Sequence, residues 1–180
     1  LNTNTVTYPQ ALQVAAHAKA LGARVVLGGV YASALPEVIL HKRASLIDTV
    51  VVGYGEKPMV QIIRGCTTPL MVNHTADFRD LPLPDRSLVD LNSYVERFRL
   101  NHPSWGRRGT HLFTSVGCTW REQTQGGCIF CSRSGDRFSS KQPARIWEEV
   151  RRLIQEYAID YIVDFSDSIL QDSQWLADLV

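Results

Sequence analysis

Short, continuous apolar runs alternate with helical patterns along the first third of the chain. Residues 24–27 and 48–52 are runs rich in β-branched side chains, and each is followed by glycines. Helical patterns surround them, at residues 9–21, 36–42 and 58–64. Strands that are apolar throughout and are separated by helices are typical of a parallel sheet covered on both faces. We therefore predict an α/β domain over residues 1–65, whose glycine turns lie at the ligand-binding edge of the sheet.

The middle of the chain, residues 66–110, lacks this periodicity. Prolines interrupt it at positions 69, 82, 84 and 103. A short helical pattern lies near residues 88–98. We interpret the stretch as an ordered linker between two domains.

The βαβ pattern returns over residues 111–180. Strand patterns at 111–116 and 160–165 flank a helix over 143–157, and Asp172 is placed to cap a last helix. One face of the longer helix is apolar, formed by Ile146, Val150, Leu153, Ile154 and Tyr157. Two parallel strands do not form a stable sheet alone. Since position 1 is Leu, we also expect the chain to be a fragment of a longer protein.

Composition and charge narrow the classes of function. The chain has 180 residues, of which 44% are hydrophobic and 21% charged, as in an ordinary globular protein. Its 19 basic and 18 acidic side chains argue against electrostatic binding of nucleic acid. No apolar run approaches the ~20 residues that cross a bilayer, and no signal peptide is recognisable. We predict a cytoplasmic protein with neither a membrane nor a nucleic-acid partner.

Three of the four cysteines lie close together. Nine residues separate Cys118 from Cys128, two separate Cys128 from Cys131, and Cys66 stands apart. Thiolates are the preferred ligands of iron–sulfur clusters and of zinc. A four-iron cluster held by three cysteines leaves one iron open to a small ligand. Structural zinc requires a fourth ligand, such as His111 or Cys66, so a zinc site is the alternative.

The strand, the cysteine loop and the helix after it resemble the radical S-adenosylmethionine (SAM) superfamily. Residues 115–118, 128–132 and 164–168 carry this resemblance. It implies that Cys118, Cys128 and Cys131 ligate three irons of a [4Fe–4S] cluster whose fourth iron binds SAM. It further implies SAM-binding positions at Phe130, Ser166 and Asp167. The common first gap in the family is three residues rather than nine, although the catalytic subunit family of elongator has a similar longer gap.

The resemblance implies an enzyme whose reduced cluster cleaves SAM to methionine and a 5′-deoxyadenosyl radical, with flavodoxin or ferredoxin as electron donor and an unidentified substrate. Residues 111–180 would form the first part of its partial (β/α) barrel. We expect the fragment alone to lack turnover, because an incomplete barrel does not exclude water.

A second resemblance covers the amino-terminal stretch. Residues 26–33 and 48–56 resemble the end of the cobalamin-binding domain that precedes the barrel in one class of radical SAM enzymes, and 81–86 resemble its linker. The implied fold is the carboxyl-terminal part of a Rossmann-like domain followed by the start of the barrel. The implied cobalamin contacts are Gly28, Gly29, Ser33, Gly53, Gly55 and Glu56. Cobalamin binding stays open, because the Asp-x-His-x-x-Gly motif does not occur and Tyr31 stands where many relatives have His. The alternative function is a non-enzymatic, zinc-binding α/β interaction module.

Overall fold

The computed structural model describes residues 1–75, 77–102, 106–124, 127–131 and 137–180. These residues form a mixed α/β protein with small sheets. Two compact units are present, one made of Leu1–Ala76 with Trp120–Arg137 and the other of Asp77–Thr119 with Phe138–Val180. No helix in the described ranges has both the length and the apolar character needed to cross a membrane.

The longer helices and strands of the described residues follow the order that the alternating sequence pattern predicts, with additional short elements between them. The helices are α1 (Tyr8–Ala20), α2 (Val30–Ala34), α3 (Pro36–Arg43), α4 (Glu56–Ile63), α5 (Leu91–Asn101), α6 (Thr119–Thr124), α7 (Pro143–Tyr157) and α8 (Ser173–Leu179). The strands are β1 (Val26–Leu27), β2 (Thr49–Gly53), β3 (Leu70–Asn73), β4 (Gly109–Leu112), β5 (Ser115–Val116), β6 (Ser139–Ser140) and β7 (Tyr161–Asp164). Short 3₁₀ turns lie at Arg86–Leu88 and Ile169–Gln171.

The first unit contains a parallel sheet in the order β1-β2-β3, which confirms the predicted parallel arrangement. Leu27 and Val50 are fully buried in it, and Ile39 of α3 packs against them. The amino-terminal residues run alongside β1, where the Leu1 amino group donates to the Val26 carbonyl at 2.7 Å. The continuous apolar strands therefore lie in the interior of this unit, as their sequence indicates.

One ion pair joins three elements of the first unit. The Asp48 carboxylate accepts hydrogen bonds from Lys19 Nζ at 2.8 Å and from the Val25 backbone N–H at 2.7 Å. Both interactions favour the charged carboxylate, and the bond from Lys19 is the larger cause of the lowered pKa of Asp48. The carboxyl-terminal end of α1 is thereby tied to the start of β1 and β2.

Three elements of the first unit and of the cysteine loop are missing from the predicted pattern: α2, β3 and α6. The stretch interpreted as a linker begins with a strand, since β3 pairs with β2 along its whole length. Only Met71 of β3 is buried. A four-residue strand with one buried side chain has too short a pattern to be recognised in the sequence.

The second unit is built around a parallel β–α–β arrangement of β4, α7 and β7. Helix α7 has the predicted bounds, begins with Pro143 at its first turn and ends at Ala158 in the left-handed conformation. The predicted strand over 111–116 is divided: Phe113 and Thr114 separate β4 from β5, and β5 pairs with β6 in antiparallel fashion. The predicted last helix is α8, and the Asp172 side chain accepts from the Trp175 N–H at its first turn.

The buried face of α7 differs from the predicted one at two positions. Ile154 is 52% exposed, whereas Glu149 is 3% exposed. The Glu149 carboxylate accepts from Lys141 Nζ and from Arg86 Nη2, each at 2.7 Å. The same Arg86 nitrogen donates to the His111 carbonyl of β4 at 3.2 Å. The helix buries a carboxylate because two cations meet it there, Lys141 from just before the helix and Arg86 from 63 positions away.

Candidate functional site

The cysteine loop begins on a segment held by the chain that follows β7. Ser166 Oγ accepts from the Thr114 N–H at 3.0 Å and the Ser115 N–H at 2.9 Å. Asp164 Oδ2 accepts from the Thr114 hydroxyl at 2.7 Å. Thr114 and Ser115 are buried, so their polar groups require protein partners. The last residue of β7 and the segment after it supply these partners.

The same pattern continues to the first cysteine. The Gly117 N–H donates to Asp167 Oδ2 at 2.9 Å, and the Thr119 N–H donates to Gln171 Oε1 at 2.8 Å. The Thr119 hydroxyl also bonds to Gln171 Oε1. Gly117 is buried with a φ of +81°, a conformation that favours glycine. Cys118 therefore lies between two backbone amides whose acceptors are side chains.

The other two cysteines form one tight turn. The Cys131 N–H donates to the Cys128 carbonyl at 3.0 Å, and both side chains are exposed. Arg121 Nη2 donates to the Cys131 carbonyl at 3.3 Å. The sequence predicts that Gly126 and Gly127 let the loop fold back tightly before Cys128. Gly127 precedes the turn with a φ of +70°, a conformation that favours glycine. Its neighbour at position 126, predicted to share this role, lies outside the described residues.

The side chains between these cysteines are apolar and fully open to solvent. Ile129 and Phe130 are 104% and 87% exposed. Phe130 is the residue that the family resemblance places beside the adenine of SAM. The structure places it in the first unit, next to the Cys128–Cys131 turn, whereas Ser166 and Asp167 lie in the second unit.

The donor set fits iron–sulfur chemistry in type. It contains three thiols, and two of them are presented together by a single turn. Cys118 belongs to the second unit, and Cys128 and Cys131 belong to the first. Across the described ranges, no three His, Cys, Asp or Glu side chains are grouped closely enough to share a metal ion. The structure therefore brings two of the three predicted ligands together.

The two side chains suggested as a fourth zinc ligand have other contacts. The His111 ring stacks on Phe165 with the ring centres 4.2 Å apart, and burial lowers the pKa of His111. Cys66 Sγ lies 3.3 Å from the Thr68 hydroxyl, and this hydrogen bond is the main cause of the lowered pKa of Cys66. Neither contact involves one of the three clustered cysteines.

The predicted cobalamin contacts follow β1 and β2 in the first unit. Their glycines differ in whether a side chain would have room at that position. A Cβ on Gly29 would lie 2.1 Å from Asn2 Oδ1, and a Cβ on Gly53 would lie 2.2 Å from the Asn73 carbonyl oxygen. A Cβ on Gly28 would meet only ordinary contacts, and one on Gly55 would meet open space. Strand and loop atoms of the chain itself thus approach Gly29 and Gly53.

The polar members of this set also have defined surroundings. The Ser33 hydroxyl accepts from the Gly53 N–H at 3.0 Å, so it joins the α2 segment to the end of β2. Glu56 is exposed in the first turn of α4. An acidic side chain there stabilises the helix through its dipole. The open surface of this edge therefore lies around Gly28, Gly55 and Glu56.

Replacing Gly53 with Ala tests the structural demand at this edge. Its φ is +82° and its Cβ position is blocked by backbone, so we expect a loss of about 2–4 kcal/mol in the free energy of unfolding. Gly55→Ala is the matched control, since φ there is −86° and the space is open. It should change the free energy by less than about 1 kcal/mol. Urea unfolding measures both, and equal effects would contradict this interpretation.

Some residues of this region were not selected from the sequence. Thr114 and Gln171 hold the cysteine segment, yet neither belongs to a recognisable motif. Their partners are about 50 positions away in the chain. A Thr after a strand and a Gln in a short turn occur in many chains, so no local signal distinguished them.

Comparison of the chain with family models, with curated proteins and with solved structures finds no match in any of the three.

Proposed function

We propose that this chain belongs to a radical SAM enzyme, with Cys118, Cys128 and Cys131 as the ligands of a [4Fe–4S] cluster. The Cys-x9-Cys-x2-Cys spacing carries the proposal, together with the place of its first cysteine. Cys118 comes six residues after the end of β4 in a β–α–β unit, on a segment bonded to the residues that follow β7. In parallel α/β folds the carboxyl edge of the sheet is where ligands bind. When bound, the reduced cluster supplies the electron that cleaves SAM into methionine and a 5′-deoxyadenosyl radical.

The chain's own residues contribute binding and orientation in this proposal. The Cys128–Cys131 turn presents two thiols from one short loop, and Cys118 supplies the third. Phe130, Ser166 and Asp167 are the residues that would contact SAM. The electron comes from a flavodoxin or a ferredoxin.

We further propose that the first unit is part of a cobalamin-binding-type domain of Rossmann-like fold. Its three parallel strands and the open edge around Gly28 and Gly55 support this assignment. Cobalamin titration followed by visible absorbance tests it separately from the cluster. A spectral change that saturates supports the assignment, and an unchanged spectrum at excess cobalamin contradicts it.

Anaerobic reconstitution with iron and sulfide tests the proposed function. We expect the 180-residue chain to become brown and, after reduction, to give an electron paramagnetic resonance signal of a [4Fe–4S] cluster. Addition of SAM should change this signal, because the fourth iron is open. A colourless chain that holds stoichiometric zinc instead would contradict the proposal and favour the zinc-binding interaction module.

A further inference from the structure

We infer that Asp167 and Gln171 are positioning residues that fix the backbone on both sides of Cys118. The Gly117 N–H, directly before the cysteine, donates to Asp167 Oδ2 at 2.9 Å. The Thr119 N–H, directly after it, donates to Gln171 Oε1 at 2.8 Å. Two side chains from one short segment thus hold the two peptide groups that flank a single thiol.

The physical need for these acceptors follows from burial and conformation. Gly117 is buried and left-handed, directly after the end of β5, and its N–H pairs with a side chain rather than with a neighbouring strand. A buried N–H without a partner costs about 1–3 kcal/mol. A carboxylate acceptor gives a charge-assisted bond, which is about twice as strong as a neutral one. Asp167 therefore stabilises the one backbone conformation that places Cys118 at the end of the segment.

The holding segment is itself fixed to the sheet. Ser166 Oγ donates to Asp164 Oδ1 at 2.6 Å, and the Phe165 N–H donates to the Leu112 carbonyl of β4 at 2.8 Å. Asp164 is the last residue of β7. The position of Cys118 is thus set by the parallel pairing of β4 with β7 rather than by the loop alone. Sites on strands and helices are held more accurately than sites on loops, so the bonds to the residues at the end of β7 compensate for the loop position of Cys118.

Amide hydrogen exchange in the metal-free, isotope-labelled chain tests the inference directly. In Asp167→Ala, protection of the Gly117 amide should fall about tenfold or more. Asp167→Asn keeps an acceptor oxygen and should restore most of that protection. Asp178→Ala, an exposed position on α8, is the matched control and should leave Gly117 unchanged. Equal protection of Gly117 in Asp167→Ala and in the parent chain would overturn the inference.

Gln171→Ala provides an independent test on the other side of the cysteine. We expect faster exchange at Thr119, with Gly117 still protected by Asp167. Alkylation of Cys118 by iodoacetamide should accelerate in both alanine variants relative to Cys66 of the same molecule. If the whole second unit lost protection to the same degree, Asp167 and Gln171 would be general structural residues and the inference would be wrong. Should Asp167→Ala not fold, the Gln171→Ala result decides.

The relevance of this positioning to catalysis rests on the proposed function. The positioning role and the proposed function are tested by different measurements, so one can be contradicted without the other. In the reconstituted chain, Asp167→Ala should alter the paramagnetic spectrum of the reduced cluster, and Asp167→Asn should restore it. A parent chain that holds no iron would contradict the proposed function, while the exchange results would still support the positioning role. A normal cluster spectrum in Asp167→Ala would overturn the positioning role at the metal.

Discussion

Glu149→Gln is expected to destabilise the second unit by about 3 kcal/mol or more, because it leaves a buried ammonium without its counter-charge. Lys141 and Glu149 are 5% and 3% exposed, and their charged atoms are 2.7 Å apart. The Lys141 ammonium also lies over the Phe78 ring, 5.3 Å from its centre. Arg86 adds a second cation to the same carboxylate. Removing the carboxylate's charge thus affects three chain segments at once.

The neighbouring residue of the same helix offers a matched control. Glu148 pairs with Arg152 at 2.6 Å, but both side chains are largely exposed. Exposed pairs of this kind contribute about 0.3–0.5 kcal/mol, so Glu148→Gln should have almost no effect. Urea unfolding followed by circular dichroism gives both free energies. Similar free energies of unfolding for Glu148→Gln and Glu149→Gln would show that the buried Glu149 carboxylate is not essential for stability.

A second variant separates the lost charge from lost packing. Lys141→Met removes the buried ammonium, so combining it with Glu149→Gln should recover part of the stability lost by Glu149→Gln alone. The coupling energy of contacting residues is commonly about 0.5–3 kcal/mol. Strict additivity of the two substitutions would contradict a direct interaction between these side chains.

Cys128→Ala is expected to abolish binding of the proposed cluster. In the proposed function the protein supplies only three thiol ligands to the cluster, so none can be spared. Cys128 begins the turn that presents two of them. After anaerobic reconstitution, most of the iron and its visible absorbance should be lost. Cys118→Ala and Cys131→Ala should act in the same way. Iron and sulfide content per chain measures the effect.

Cys66→Ala is the matched control for this experiment. Its thiol contacts Thr68, and it lies outside the cysteine run. We expect this variant to retain the iron content of the parent chain. Retention of a full iron complement in Cys128→Ala, or an equal loss in Cys66→Ala, would contradict the assignment of the ligands. Stoichiometric zinc in the parent chain would show that the same cysteines form a structural zinc site instead of binding an iron–sulfur cluster.

The long, regular elements were predictable because their own residues determine them. Helix α7 has the predicted bounds, since Pro143 starts it and an apolar face recurs at spacings of three and four. Strand β2 lies within one residue of its prediction, since four consecutive buried residues leave little choice. The missed elements are short. Strand β3 gains its structure from pairing with β2 rather than from its own sequence.

The stretch over residues 81–86 has long-range contacts that its own sequence does not indicate. Its prolines predict a linker, and its last residue, Arg86, has no local partner in the sequence. In the structure Arg86 bonds to Glu149 of α7 and to the His111 carbonyl of β4. The segment is therefore connected to the interior of the second unit. Its role depends on residues 25 and 63 positions away.

By itself, the sequence determined the α/β class, the parallel strands and the spacing of the three clustered cysteines, because hydrophobic periodicity and residue chemistry are local properties. Only the tertiary structure decided that Glu149 is buried while Ile154 is exposed, and that Asp167 and Gln171 hold the backbone beside Cys118. These outcomes depend on hydrogen bonds and ion pairs between distant segments. Such partners are fixed only when the strands have paired and the helices have packed on them.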